Sequence, residues 1–129
     1  DEAGYIAQHI VNAQLDDDMS DIVNVTRIMQ DILNIIKYSY KIDFNEESVY
    51  YYRFVTHLKF FAQRILNRLT YEDDNEDVFE VFKDKYNESY KCVLKIKEQI
   101  KQIYDYELSK DEQLYLMIHI ERITTKATL

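Results

Sequence analysis

The chain has 129 residues and a formal net charge of −8, from 16 Lys and Arg against 24 Asp and Glu. Such a length holds one domain with a real core, and the acidity excludes a nucleic-acid clamp built on bulk charge, which needs clustered cations. One glycine (Gly4), no proline and one cysteine (Cys92) exclude glycine-rich phosphate loops, turn-rich β architectures and an internal disulfide, and fit a reducing cytoplasm. No apolar run approaches the roughly 18–20 residues that span a bilayer, so no membrane segment is expected.

Along residues 2–15, Tyr5, Ile6, His9, Ile10 and Ala13 recur at helical spacing. Asp16, Asp17 and Asp18 then read as an acidic connector, with Ser20 as the N-cap of the next helix. From Asp21 onward, Ile22, Val25, Ile28, Met29, Ile32, Leu33, Ile35 and Ile36 form an apolar stripe over more than four turns. Asn45 is expected to cap the following helix, with Glu46 and Glu47 at the positive end of its dipole. Phe54, Leu58, Phe61, Ile65 and Leu69 keep one face of it apolar. Tyr71–Asp77, with five acids in seven residues, reads as a loop. A helical stretch then runs from about Val78 to Tyr106 with a break near Asn87, and Ser109-Lys110-Asp111-Glu112 is a capping box that opens a last helix through about Arg122. No stretch alternates with period two, so the class is all-α.

An internal echo organises the chain. Asp1-Glu2-Ala3-Gly4-Tyr5-Ile6-Ala7-Gln8-His9-Ile10 matches Asp111-Glu112-Gln113-Leu114-Tyr115-Leu116-Met117-Ile118-His119-Ile120 at five of ten positions, 110 residues apart. That offset exceeds the roughly 20–50-residue period of solenoids and points to duplication of a whole domain. Residues 1–15 are then the closing helix of a truncated preceding unit, 16–20 a linker and 21–129 one complete unit, which makes the chain a fragment.

Two of the three histidines lie in the echo; the third, His57, lies in a separate helix. A lone mid-helix histidine beside apolar neighbours is ordinarily a hydrogen-bonded residue at the edge of a core. Copying the histidine with its surroundings argues for a chemical role. Arg53, His57, Phe61 and Arg64 share one helix side, and His119 has Arg122 and Lys126 at i+3 and i+7. Arginine beside histidine is what a phosphorylated imidazole needs, because guanidinium pairs bidentately with phosphate oxygens. Ordinary surface pairing, such as Arg53 with Glu46 or Glu47, would produce the same spacing. His9 has only Asn12 at i+3.

Other chemistries are weaker. Neither CxxC nor HxxxH spacing occurs, so no metal site is expected. Cys92 reads as a small core residue. Asp73/Asp74 and Glu46/Glu47 are explained by turns and caps. Tyr50-Tyr51-Tyr52 and Phe60/Phe61 read as core or dimer interface, and Lys95, Lys97 and Lys101 with Glu98 as a solvated face. No catalytic residues, no cofactor and no enzyme are expected.

At the histidine contexts the chain resembles the BglG/SacY/LicT family of bacterial transcriptional antiterminators. The match is to their phosphotransferase-system regulation domain (PRD). The motifs are Asp1–Ala13, Tyr52–Arg64 and Leu114–Arg122, together with Phe44-Asn45-Glu46-Glu47-Ser48. The resemblance implies a compact five-helix bundle of antiparallel helix pairs, preceded by one helix of the preceding repeat. It implies an N-terminal RNA-binding domain and two regulation domains in the whole protein, with His9 the second phosphorylatable histidine of the first and His57 and His119 the pair of the second. It further implies that the phosphocarrier HPr phosphorylates the second domain and favours an active homodimer, while a sugar-specific enzyme IIB component acts on the first. RNA is then bound only through the absent domain. Arg53, Arg64 and Arg122 are the candidates to contact the phosphate. Two other readings stay open: a helical dimerisation module with structural histidines, or the same domain in a DNA-binding activator of sugar operons.

Overall fold

The computed structural model describes the backbone of residues 2–69 and 76–127 and the side chains of 19–69 and 77–125. Five helices follow in order: α1 (Glu2–Tyr40), α2 (Val49–Asn67), α3 (Glu76–Lys85), α4 (Asn87–Tyr104) and α5 (Lys110–Ala127). Among the described residues none of them is long and apolar enough to cross a membrane.

The first helix corrects two expectations. It runs unbroken through Asp16–Asp18 and Ser20, so the acidic run is helical and Ser20 is no N-cap. Aspartate lowers helix propensity by only a fraction of a kcal/mol, and with neither Gly nor Pro there the turns on both sides carry the helix across. Its core stripe is Ile28, Ile32 and Ile36, all buried, with Val25, Met29, Leu33 and Ile35 packed against them. Ile22 lies outside that core and is exposed.

Asn45 does not cap α2. Its side-chain oxygen accepts from the Glu47 backbone N–H at 3.2 Å in a turn, and Ser48, extended at φ −71° and ψ 138°, is the N-cap, its hydroxyl accepting from the Tyr50 N–H. The apolar face is Phe54, Leu58, Phe61 and Ile65, all buried, whereas Leu69 is exposed beyond the helix end. Tyr51 packs against Phe44 with the rings tilted and their centroids 5.4 Å apart, Tyr50 packs on the core, and Tyr52 and Phe60 face outward.

The predicted loop at Tyr71–Asp77 falls largely outside the described residues, but Glu76 and Asp77 already belong to α3. The break expected near Asn87 is the single residue Tyr86 between α3 and α4. Ser89, Cys92, Val93, Ile96 and Ile100 form the buried face of α4, while Lys95, Glu98 and Lys101 are exposed and Lys97 half-buried.

The last helix is the hub. It packs on α2, α3 and α4 and buries Leu114, Leu116, Met117, Ile120 and Ile123. The capping box forms as predicted: the Ser109 hydroxyl accepts from the Glu112 N–H at 3.1 Å, and the Ser109 N–H donates to Glu112 Oε1 at 3.0 Å. The helix continues past Arg122 to Ala127. A polar tie joins three helices, in which the Ser89 hydroxyl donates to Glu121 at 2.8 Å and lies 3.3 Å from the Tyr40 hydroxyl.

Candidate functional site

The α2–α5 contact brings His57 and His119 face to face. Their ring centroids are 5.1 Å apart and their planes tilted by 33°. Each is placed by its own helix: His57 stands beside the buried Phe54 and Leu58, one step off the apolar stripe of α2. His119 stands between the buried Met117 and Ile120 on α5. Tyr115 lies 4.9 Å from His57 and Phe54 lies 5.5 Å from His119. Four rings from two helices thus form one continuous row at the edge of the core.

Both histidines are half-buried, and this sets their chemistry. Burial pushes His119 down to about 4, with further repulsion from His57 and Arg122. His57 is also lowered, by burial first and then by the charge of Arg64. Removing water disfavours the imidazolium, and a neighbouring cation does so again. Both rings are therefore neutral at neutral pH and carry a nucleophilic nitrogen lone pair. The Nε2 atom of His57 is buried and has no hydrogen-bond partner among the described residues.

Of the arginines singled out in the sequence, Arg64 and Arg122 bear electrostatically on the pair, the first on His57 and the second on His119. Arg122 is exposed, so its guanidinium can reach an added group. Arg64 is only 27% exposed, and its Nε lies 3.9 Å from Oε2 of the buried Glu112. Arg53 is exposed on α2, four residues before His57. The side chains of His9 and Lys126 lie outside the described residues. Cys92 is buried and free of any disulfide, as a core residue should be. Among the described residues no group of three or more His, Cys, Asp or Glu side chains converges.

Sequence reasoning missed Tyr115 and Phe54 as neighbours of the pair and Glu112 as the partner of Arg64. The signal for Tyr115 and Glu112 was present, since the echo copies Tyr5 and Glu2 along with His9. Phe54 gave none beyond its place in an apolar stripe.

Fold and site together define an all-helical domain organised around two neutral, facing histidines with arginines at hand. The model of one family, described as the PRD domain, matches residues 30–123; the chain belongs to the PRD family. It is 53% identical over 127 residues to transcription antiterminator LicT of Bacillus subtilis (strain 168), covering 98% of this chain and 46% of that protein. It is 51% identical over 126 residues to the beta-glucoside operon antiterminator of Dickeya chrysanthemi, covering 98% of this chain and 44% of that protein. It is 30% identical over 120 residues to protein GlcT of Staphylococcus aureus (strain Newman), covering 93% and 42%. The chain thus spans less than half the length of each of these relatives.

Proposed function

We propose that this chain is the phosphoacceptor regulatory part of a cytoplasmic, sugar-responsive transcriptional antiterminator, and that His57 and His119 are its acceptors. The observation that carries this is the facing pair of neutral imidazoles with Arg64 and Arg122 beside them. In the transfer step, a ring-nitrogen lone pair attacks the phosphorus of a phosphohistidine on the donor, which we take to be HPr. The donor's N–P bond breaks and its electron pair returns to the donor ring. The acceptor keeps its own N–H proton on the other nitrogen during the attack, so the nucleophile needs no separate base, and that proton is afterwards released to solvent, leaving a neutral phosphorylated ring. The product adds close to two negative charges and three acceptor oxygens, which Arg64 and Arg122 are placed to answer.

In the whole protein, residues 1–15 close a first regulation domain in which His9 is an acceptor for a sugar-specific enzyme IIB component, and 21–129 form the second. The added charge repacks helices and shifts a homodimer equilibrium, and RNA is bound by a separate domain. The names of two of the relatives, both antiterminators, support RNA output over a DNA-binding activator. Purely structural histidines would be expected to have satisfied ring nitrogens, and the unpartnered Nε2 of His57 argues against that reading.

The test is an intact-mass time course with phosphoenolpyruvate, enzyme I and HPr. Wild type should gain one or two acid-labile phosphoryl masses, His57→Ala and His119→Ala at most one each, and the double variant none. No gain in folded wild type removes the mechanism.

A further inference from the structure

The echo duplicates more than a histidine: it also duplicates a glutamate seven residues earlier, Glu2 before His9 and Glu112 before His119. As the N3 residue of a capping box, Glu112 needs only to reach the Ser109 N–H, a task that exposed glutamates perform. Yet Glu112 is 1% exposed. Its two oxygens accept from the Tyr106 hydroxyl at 2.8 and 3.1 Å and from the Ser109 N–H at 3.0 Å. Tyr106 is itself buried, and burial together with the adjoining carboxylate drives its hydroxyl far above the ordinary tyrosine range, so it stays a donor. A carboxylate withdrawn from water costs several kcal/mol unless a cation and hydrogen bonds compensate it. Capping accounts for one of those contacts and leaves the burial unexplained.

The cation is Arg64, whose Nε sits 3.9 Å from Oε2. This is the same guanidinium whose charge depresses His57. Arg64 comes from α2, Glu112 from the first turn of α5, and Tyr106 from the segment before α5, with its hydroxyl also 3.1 Å from the carbonyl of Leu69, just past the end of α2. At 3.9 Å the contact is an ion pair, too long for a hydrogen bond, so the guanidinium is drawn toward a carboxylate that is itself fixed at both oxygens.

We infer that Glu112 is a positioning residue for phosphorylated His57: it fixes the orientation of Arg64, so that the guanidinium meets the phosphoryl group without first being ordered. A planar fork already biased by a fixed, buried carboxylate loses less rotamer freedom when it binds phosphate than a long side chain drawn from solvent. The device is specific to His57, because His119 is served by the exposed Arg122. The inference rests on the phosphoacceptor reading above and deepens it.

The test uses Glu112→Gln, which keeps an acceptor for the Ser109 N–H but removes the charge, in His119→Ala and His57→Ala backgrounds of the same chain. After phosphorylation by enzyme I and HPr, the half-life of phosphohistidine 57 should fall about tenfold, the scale of one charge-assisted contact. Phosphohistidine 119 should change by less than about twofold, since it does not depend on that contact. Glu112→Gln combined with Arg64→Ala should be no worse than Arg64→Ala alone, because the two act through one contact. A merely structural role would lower the melting temperature and leave both half-lives unchanged; that pattern overturns the inference. The Arg64 Nε–H resonance provides a readout without phosphoryl transfer. It should be distinct and slowly exchanging in wild type and merge with the exposed arginines in Glu112→Gln. An unchanged resonance sinks the positioning role by itself, whereas a changed one in a protein that takes no phosphate locates the failure in the phosphoacceptor reading, and the inference falls with it.

Discussion

His119 carries a pH dependence that can be worked out in sign. An unfolded histidine titrates near 6.5, and in the folded chain burial, His57 on α2 and Arg122 on its own helix push His119 down to about 4. Between those values the unfolded chain binds a proton that the folded chain refuses, so folding is penalised there. The contribution is present in full above about pH 6.5 and is lost as pH falls toward the folded value of about 4. Thermal denaturation between pH 7 and 4 should show a falling melting temperature, with a smaller fall in His119→Gln. Equal slopes in the two proteins would refute the assignment. The same depression keeps the ring neutral, which a phosphoacceptor requires.

At the scale of elements, caps decide where the helices begin and end. Ser109→Ala removes the hydroxyl that receives the Glu112 N–H and should cost about 1 kcal/mol, as cap losses do, measurable by urea denaturation. With one glycine in the chain, three non-glycine residues among those described take the left-handed conformation in which helices terminate: Lys41, Arg68 and Asp105, at φ 55°, 54° and 52°. Lys41→Gly relieves that strain on an exposed side chain and should stabilise by about 0.5–1 kcal/mol. A decrease would mean that the Lys41 side chain contributes contacts outweighing the strain. The stripes Ile28–Ile32–Ile36 and Phe54–Leu58–Phe61–Ile65 were legible in the sequence because apolar spacing reports burial directly. The box at Ser109 was legible because it is a contact within one turn. The cap at Ser48 was missed because Asn45 is as good a capping residue and sits one turn too early. The continuity of α1 was missed because three aspartates look like a break when neighbouring turns are ignored. His57 and His119 could each be singled out locally, but their meeting, and the carboxylate behind Arg64, depend on how α5 lies across α2. No local pattern encodes that.

For the whole molecule, the relevant quantity is charge in a chain that already carries −8. On the phosphoacceptor proposal, negative charge added at the α2–α5 contact falls on a helix that touches α2, α3 and α4 together, so the disturbance is expected across the bundle and not at one seam. His57→Asp with His119→Asp should mimic part of that charge and shift the monomer–dimer constant, read by sedimentation equilibrium. An unchanged constant would count against a charge-driven switch.

The unbroken α1 has a mechanical meaning. A helix has no torsional slack: every residue advances the chain by about 1.5 Å and turns it by about 100°. Because α1 crosses Asp16–Asp18 without a break, whatever is fixed to its first turns is geared to the stripe Ile28–Ile32–Ile36 like a coupling on a shaft. One residue inserted between Asp18 and Met19 would swing that attachment by about 100°, while seven would return it to within about 20° of its original bearing. The length of the acidic run, more than its composition, then sets the phase in which motion passes from one end of the helix to the other.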